Sequence, residues 1–261
     1  MKVRLDKLLL ERGLASSRER AQALILAGRV LVNEQRIEKA GAAIEQDAAI
    51  RMLGEELRYV SRGGLKLEHA IKHWNLMLAG RCCIDIGSST GGFIDCMLQH
   101  GAAEVVAVDT GYGQIDARLR QDARVHLIER TNARFLTAAQ LQQAAAQSSP
   151  ISFITMDVSF ISATLVLPAV IKAIYENNQH MKIQPAVLDT VILVKPQFEV
   201  GREFVGKGGI VRDPAAQESA VERVRAAVND LGANSVAITD SPILGAEGNK
   251  EFLLYCKFNE S

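Results

Sequence analysis

Short apolar segments alternate with amphipathic helical patterns from residue 81 to the carboxyl end of this 261-residue chain. Strands that alternate in this way with helices predict an open, mostly parallel, doubly wound sheet. The last two segments are joined by "DSPILGAEGNK", which is too short for a crossover helix, so we expect an antiparallel pair there. The seven predicted strands are 82–86, 104–108, 125–128, 152–157, 190–195, 235–239 and 251–258, and the main helices lie at about 91–100, 160–177 and 214–231.

The loop after the first predicted strand, "DIGSSTGGF" at residues 85–93, is rich in glycine and opens a helix. Doubly wound sheets bind nucleotide-like ligands at this position. Gly87 and Gly91 let the backbone approach a ligand, and the helix offers free N–H groups at its amino end. The glycines do not follow the G-x-G-x-x-G fingerprint of dinucleotide-binding loops, and Phe93 stands where a P-loop has lysine. The loop therefore indicates a ligand without a pyrophosphate.

Acidic residues stand on both sides of this loop. Asp85 precedes it, and Asp109 ends the second strand, where a carboxylate can accept hydrogen bonds from both hydroxyls of a ribose. S-adenosylmethionine has a ribose and an amino-acid tail but no pyrophosphate. Together with the reversed last strand, this pattern predicts a Rossmann-like class I methyltransferase sheet. The predicted cofactor contacts are Asp85, Gly87, Ser88, Ser89, Thr90, Gly91, Gly92, Phe93, Asp109 and Asp157.

The ends of the fourth and fifth strands indicate which atom is methylated. The fourth strand ends in "MDVSFIS", which lacks the proline-rich motif of amine-methylating enzymes, and no cysteine nucleophile for pyrimidine carbon stands near either strand. The fifth strand, Val191 to Val194, delivers Lys195 to its carboxyl end. A lysine in a partly dry cleft loses its proton more readily, so Lys195 is a candidate base for a hydroxyl such as a ribose 2′-OH. The alternative is a strand-end charge that reaches solvent.

The first 58 residues form a separate pattern. Residues 1–36 hold eight Lys and Arg against four acids, whereas the whole chain is neutral. Two helices are predicted, in "RLDKLLLERG" and in "SSRERAQALILAG", where Ser16 and Glu19 make a capping-box pattern. Two short strands follow around a turn at Asn33. The charges alone fit a solvated helix face as well as a nucleic-acid site.

The order of these elements, with the "RLDKLL" opening and the basic helix, resembles the S-four-type RNA-binding domain. That family usually has glycine where this chain has Glu34. The resemblance implies RNA binding through shape and phosphate contacts. The residues that it suggests are Arg4, Lys7, Arg18, Arg20 and Arg29.

The motifs "YVSRGGLKL", "DIGSSTGGF", "VDTGYGQ", "MDVSFIS", "VKPQFEVG", "KGGIVRD" and "GAEGNKEFLLY" resemble the TlyA-type rRNA 2′-O-methyltransferases, also known as the haemolysin A family. The resemblance spans the whole chain. It implies an S-four-type domain at 1–58, a linker at 59–63 and an FtsJ-like catalytic domain at 64–261. It also implies methylation of cytidine 2′-OH groups in ribosomal RNA or ribosomal subunits.

The FtsJ-like domain uses a Lys-Asp-Lys-Glu tetrad. By motif, the resemblance assigns it to Lys66, Asp157, Lys195 and Glu251, with Glu247 as a competitor for the last role. Taken singly, without the resemblance, Lys66 is better read as a solvated helix residue and Glu251 as a strand-edge residue. Further basic residues are candidates for RNA contacts or are ordinary loop charges; they are Arg62, Lys207 and Arg212.

Other features limit the alternatives. No apolar run approaches the roughly 18 residues of a membrane span, and the charged amino end is unlike a signal peptide, so we expect a cytoplasmic protein. Two further hypotheses are a membrane-active haemolysin and a non-catalytic RNA-binding or ribosome-assembly factor. The oligomeric state is not predicted, and no residue cluster predicts a metal site. The cysteines are expected to be reduced core thiols; they are Cys82, Cys83, Cys96 and Cys256.

Overall fold

The computed structural model describes residues 2–15, 17–53, 58–144, 149–182, 187–245 and 248–259. The chain divides into two compact units, Met1–Leu57 and Arg58–Ser261. Each unit has hydrophobic core clusters of its own.

The first unit is a small α+β structure, as predicted. Its β1 strand pairs with β4, and β2 lies between β3 and β5, with all three pairings antiparallel. Apolar faces of both helices, including Leu5 and Ile25, pack in one cluster with Val30 and Val32. The elements are β1 Lys2–Arg4, α1 Leu5–Glu11, α2 Arg18–Leu26, β2 Val30–Val32, β3 Gln35–Arg36, β4 Ala43–Glu45 and β5 Ile50–Met52.

The start of α2 corrects one prediction. The N-cap is Ser17, whose side-chain oxygen accepts a hydrogen bond of 3.1 Å from the backbone N–H of Arg20. The predicted cap, Ser16, lies outside the described residues. Ser17 has the extended backbone that a cap needs, and it brings its hydroxyl to the third helical residue, so the predicted start is wrong by one position.

The predicted turn at Asn33 is confirmed. Asn33 and Glu34 both have positive φ angles, of 49° and 64°, which joins β2 to β3 by a tight hairpin. Glu34 occupies the position where glycine would be free of strain, and its carboxylate pairs with Arg51 on β5. This ion pair ties the turn to the neighbouring strand.

The second unit contains a seven-stranded sheet with strand order β11-β12-β10-β9-β6-β7-β8. The strands β6 to β10 run parallel, and β12 is antiparallel to both of its neighbours, β10 and β11. The prediction of a seven-stranded sheet with a reversed last strand is therefore confirmed. The strands are β6 Cys82–Ile86, β7 Glu104–Val108, β8 Val125–Ile128, β9 Ile151–Met156, β10 Val187–Val194, β11 Ser235–Asp240 and β12 Phe252–Asn259.

Helices and short 3-10 turns cover both faces of this sheet, whose central strands are apolar on both sides. Ile84 and Phe153, for example, are fully buried in the clusters on opposite faces. The helices are α3 Gly63–His73, α4 Gly92–Gln99, α5 Ala117–Arg120, α6 Ala138–Ala144, α7 Ala163–His180, α8 Pro196–Glu199 and α9 Pro214–Asp230, and the 3-10 turns are Ala133–Phe135, Arg202–Phe204 and Lys207–Gly209.

The four cysteines are free and buried, which confirms the prediction of core thiols. Burial raises the pKa of Cys96 and of Cys256 to about 12, so neither provides a thiolate at neutral pH. These thiols therefore serve as small apolar groups.

The segment expected to be a linker, 59–63, belongs to the second unit and packs along α4. Tyr59 is buried, and the backbone N–H of Val60 donates to the Asp95 carboxylate over 2.8 Å. A side chain on Gly64 would collide with the Tyr59 ring. Within the described ranges, no helix combines the length and the apolar character that a membrane crossing requires.

Candidate active site

Two lysine–carboxylate pairs lie at the carboxyl edge of the parallel strands. Asp157 follows β9 and Lys195 follows β10, while Lys66 lies on α3 and Glu251 directly precedes β12. The fold therefore brings the four tetrad candidates, which are far apart in the sequence, into two close ion pairs.

The first pair is almost completely buried. Lys66 Nζ lies 2.5 Å from Glu251 Oε2, and the two residues are only 9% and 3% exposed. Gly245 leaves room for the carboxylate, since a Cβ there would lie 2.5 Å from Glu251 Oε1. Lys66 is thus not a solvated helix residue. The competing candidate, Glu247, lies outside the described residues.

The second pair joins the ends of two neighbouring strands. Lys195 Nζ lies 2.6 Å from Asp157 Oδ1 and donates a hydrogen bond of 2.8 Å to the Ser159 hydroxyl. The β10 strand that precedes Lys195 pairs with β9 and β12 and is buried along its last five residues. The backbone of Lys195 is therefore held in place by a rigid strand. The side chain of Lys195 points towards Asp157 and Ser159 and not into solvent.

Two cavities lie beside these pairs. The larger, of about 310 Å³, has Asp109 at one end and apolar walls that include Ala133 and Val166. The smaller, of about 160 Å³, is lined by Lys66, Asp85 and the start of α4. Gly87, Ser89 and Asp157 line both cavities, so the two form adjoining parts of one cleft.

Asp85 is a buried acid with an unused acceptor. Its Oδ1 atom accepts a hydrogen bond of 2.6 Å from the Thr155 hydroxyl. Its Oδ2 atom has no hydrogen-bond partner within the described part of the chain. Burial is the main reason why the pKa of Asp85 is raised to about 7. A buried carboxylate of this kind beside a cavity is suited to a cationic ligand group.

Asp109 is fixed by the backbone. Its two oxygens accept hydrogen bonds from the N–H groups of Ser89 and Gly111, at 2.8 and 2.6 Å. Each carboxylate oxygen keeps a second lone pair, so Asp109 can also accept hydrogen bonds from hydroxyl groups of a ligand in the larger cavity.

Two positions of the loop require glycine for different structural reasons. Gly87 has φ of 86°, and a Cβ there would lie 2.5 Å from the Asp157 carbonyl oxygen. Gly91 has φ of 95°, and its missing side chain leaves space for Leu119. Every predicted cofactor contact except Gly91 lines one of the two cavities. Gly91 instead lets the chain turn into α4, whose N-cap it is.

The sequence interpretation missed an aromatic residue at the rim of the cleft. Phe160 is 92% exposed, has a positive φ of 65° and lines the larger cavity. Its only described ring contact is with Phe198, at 5.4 Å between centroids. A phenylalanine in this conformation costs energy, and such strained residues cluster at functional sites. Its place in "MDVSFIS" was visible in the sequence, but its exposure was not.

Arginine–aromatic pairs were also missed. Arg130 stacks over the Tyr112 ring at 4.1 Å, and Arg134 lies 5.6 Å from the centre of the Phe135 ring. Both rings are more than half exposed. These pairs place cationic and aromatic groups side by side at the surface.

The predicted RNA-binding residues of the first unit fall into two groups. Arg4 and Arg18 hold the buried Asp6 carboxylate, at 2.8 and 3.1 Å, and Lys7 pairs with Glu11. The side chains of Arg20 and Arg29 make no hydrogen bond or ion pair within the described residues of this unit. These two are available to a ligand without breaking an internal contact.

The predicted RNA contacts of the second unit are all exposed at the surface. Arg62 donates to the Leu244 carbonyl over 3.3 Å, Lys207 lies in a 3-10 turn, and Arg212 lies between this turn and α9.

Among the residues that the structure describes, no group of three or more His, Cys, Asp or Glu side chains could hold a metal ion.

A doubly wound sheet with this strand order and a reversed β12, with a glycine loop after β6, defines the class I methyltransferases. Residues 59–258 match the FtsJ-like methyltransferase family, and residues 3–50 match the S4 domain. The chain therefore belongs to the FtsJ-like methyltransferase family and is an enzyme that carries an S4 domain. Both resemblances inferred from the sequence are confirmed.

The chain is similar over almost its whole length to other proteins. YqxC of Bacillus subtilis, a candidate rRNA methyltransferase, is 46% identical over 97% of this chain and 85% of its own. The 16S/23S rRNA (cytidine-2′-O)-methyltransferase TlyA of Mycobacterium tuberculosis is 40% identical over 98% and 90%. A solved structure of a candidate hemolysin from Streptococcus thermophilus is 42% identical, with a TM-score of 0.72 over 100% of this chain and 90% of that one.

Proposed function

We propose that this methyltransferase transfers the methyl group of S-adenosylmethionine to the ribose 2′-hydroxyl of cytidine in ribosomal RNA. The observation that carries the proposal is the convergence of two lysine–carboxylate pairs on one cleft, at Lys66 and Asp157. The name of the TlyA relative supports the choice of substrate. The cytoplasm, where ribosomal RNA is processed, is the proposed location.

The residues that line the cleft support this choice of cofactor. Asp85, with its free buried oxygen, suits the ammonium group of an amino-acid tail, and Asp109 suits the ribose hydroxyls. Apolar walls in the larger cavity suit an adenine ring, and Gly87 lets the loop pack closely against the backbone of Asp157. When bound, S-adenosylmethionine supplies an electrophilic methyl group on a sulfonium.

The Lys195–Asp157 pair is assigned to the reacting hydroxyl. Lys195 orients the 2′-oxygen. As the bond from this oxygen to the methyl carbon forms, the bond between the methyl carbon and sulfur breaks, and the pair takes up the proton that the oxygen releases. Asp157 fixes the lysine nitrogen at 2.6 Å, and Ser159 constrains it from a second direction. Most of the rate enhancement then comes from holding the reacting atoms aligned and about 3–3.5 Å apart. The buried Lys66–Glu251 pair holds the Lys66 ammonium group in a fixed position beside the same cleft.

The S4 domain is assigned to RNA. Its basic residues, Arg20 and Arg29 among them, would contact phosphates and supply affinity that falls with rising salt. At the cleft, Phe160 offers an exposed aromatic face on which an unstacked base can lie.

The test is a methyl-transfer assay with ribosomal subunits from cells that lack the gene. Labelled cofactor should yield 2′-O-methylcytidine after digestion of the RNA. Lys195→Ala should reduce the product at least 1,000-fold while cofactor still binds. Lys172→Ala, on the exposed side of α7, is the matched lysine control and should retain full activity.

Four results would contradict the proposal. A methylated base in place of a methylated ribose would change the chemistry, and full activity of Lys195→Ala would remove the lysine from it. RNA binding without any methyl transfer would favour a non-catalytic factor. Lysis of liposomes at physiological salt would favour the membrane-active alternative.

A further inference from the structure

Glu199 is a buried carboxylate for which the proposed chemistry has no use. It ends α8, one helical turn after Lys195, and is only 3% exposed. Buried acids are rare unless they are paired or hydrogen-bonded, so the contacts of this one have a structural or functional reason.

The carboxylate of Glu199 caps another helix. Its Oε2 atom accepts a hydrogen bond of 2.5 Å from the Ser162 hydroxyl, and its Oε1 atom accepts one of 2.8 Å from the backbone N–H of Ala163. Ser162 is the N-cap of α7, and Ala163 is its first residue. A negative charge there satisfies an N–H group that the helix leaves free and interacts favourably with the helix dipole.

These contacts join two turns that carry the proposed catalytic groups. The first, 157–162, contains Asp157 and Phe160, and the second, 195–200, contains Lys195 and Phe198. The turns already touch through the Lys195–Asp157 ion pair and through the two phenylalanine rings. Glu199 adds a third connection, at the end of the first turn where α7 begins.

The third connection differs from the other two because neither of its side chains lines the cleft. Glu199 and Ser162 line neither cavity, whereas Asp157 and Phe160 do. The Lys195–Asp157 pair must remain free to exchange contacts with a substrate hydroxyl, so it cannot by itself keep the turns in register. Arg223 on α9 holds the other side of the second turn, donating over 2.8 Å to the Glu199 carbonyl.

We propose that Glu199 is a positioning residue for methyl transfer: by fixing the start of α7 to α8, it holds Lys195 and Phe160 in their places relative to Asp157. This inference rests on the proposed function. It requires the reach of the side chain and two hydrogen-bonding atoms, more than it requires the negative charge.

Two substitutions separate reach from charge. Glu199→Gln keeps the length: its amide oxygen can accept from Ala163, and its NH₂ can donate to Ser162, whose hydroxyl then turns to Thr164 Oγ1 at 2.7 Å. Glu199→Asp keeps the charge but is one methylene shorter, so it cannot reach both groups. A positioning role predicts that Gln retains the rate and that Asp loses it. A purely electrostatic role predicts the reverse order.

The measurement is the first-order rate constant of methyl transfer in a single turnover, with ribosomal subunits and excess enzyme saturated with cofactor. This constant does not depend on the fraction of correctly folded enzyme. We expect Glu199→Asp to lower it about 10- to 100-fold, the size of effect caused by misplacing reacting groups by about 1 Å. Glu199→Gln should stay within about threefold of wild type. Cofactor affinity, measured separately, should change less than twofold in both.

Controls distinguish the failures. Glu218→Ala, an exposed glutamate on α9, should leave the rate unchanged. If wild-type enzyme transfers no methyl group to the RNA, the proposed function fails. If wild type is active and Glu199→Asp is as fast as Glu199→Gln or faster, the positioning role is wrong. A parallel loss of cofactor affinity in Glu199→Asp would also overturn it, because that result would mean a general disturbance of the fold.

Discussion

Asp6 in the first unit and Asp85 in the second are both buried carboxylates, at 0% and 1% exposure, but their surroundings are opposite. Asp6 accepts hydrogen bonds from the side chains of Arg4, Arg18 and Gln22, all between 2.8 and 3.1 Å. The hydrogen bond from Arg4 is the main reason why the pKa of Asp6 lies far below its usual value. This acid is fully satisfied by the fold.

Asp85 is not satisfied in the same way. It has one strong donor, Thr155, and a free buried oxygen within the described residues, and burial raises its pKa to about 7. An acid that destabilises the fold and faces a cavity is typical of a ligand-binding site. The difference between the two acids thus separates a residue that stabilises the structure from one that serves the ligand.

The largest expected effect is that of Asp85→Asn on the free energy of unfolding. Between pH 3.8, the ordinary pKa, and about 7, the folded protein keeps a proton on Asp85 that the unfolded chain has lost. Stability therefore falls as pH rises through this window and stays low above it. Asp85→Asn removes the penalty and should raise the free energy of unfolding at pH 8 by roughly 4 kcal/mol. Urea denaturation of cofactor-free protein measures this change.

The same variant should gain much less at pH 4.5, where Asp85 is protonated in the folded state. A matched substitution on the surface, Asp230→Asn at the end of α9, should show no such pH dependence. A gain at pH 8 no larger than at pH 4.5 would mean that burial does not penalise the Asp85 charge.

The second prediction is that the variant with the more stable fold binds the cofactor more weakly. If Asp85 binds the ammonium group of S-adenosylmethionine, Asp85→Asn should weaken binding about 10- to 100-fold at pH 8, because a charge-assisted hydrogen bond is lost. Wild-type affinity should rise as pH increases through about 7, where Asp85 ionises, and the variant should lose this dependence. Calorimetric titration at pH 6, 7 and 8 tests both. Equal affinity of the two proteins at pH 8 would exclude Asp85 from the cofactor site.

The third prediction concerns Asp6. Asp6→Asn leaves the two arginines without their anion, so the first unit should lose about 1–2 kcal/mol at neutral pH, a modest amount because both arginine side chains are half exposed. Since the pKa of Asp6 is depressed, this stability is present above pH 3.8 and is lost as pH falls below it. Thermal unfolding at pH 7 of wild type and variant gives the difference. If Asp6→Asn were more stable than wild type, Asp6 would not stabilise the fold, and it would not differ from Asp85 in this respect.

Sequence patterns predicted the parallel sheet because its strands are buried on both faces and appear as continuous apolar runs, as in Val191–Val194. They did not predict β1, β4 and β5, whereas β2 and β3, which are no longer, were indicated by the turn signal at Asn33 between them. The positions of Asp85, Asp109 and Lys195 at strand ends followed from strand order, whereas the two ion pairs depend on long-range packing that no local pattern contains.

Glu199 shows the same limit more clearly. In the sequence it is one acid in "VKPQFEV", with nothing to separate it from the exposed glutamates nearby. Its role depends on the start of α7, which lies more than 30 residues earlier in the chain. Its capping partner Ser162 fell inside the helix predicted at about 160–177, and the hydrogen bond between the two residues exists only in three dimensions.

The smallest expected effect extends the contrast between satisfied and unsatisfied groups to aromatic rings. Phe153 is completely buried in the core, whereas Phe160 is 92% exposed at the cleft. Phe160→Leu keeps an apolar side chain but removes the stacking face, so the KM for ribosomal RNA should rise about fivefold, equivalent to about 1 kcal/mol, with cofactor affinity unchanged. Met77→Ala, another exposed apolar residue that lines neither cavity, is the control and should have no effect. An unchanged KM in Phe160→Leu would leave the exposure of this ring without a role in RNA binding.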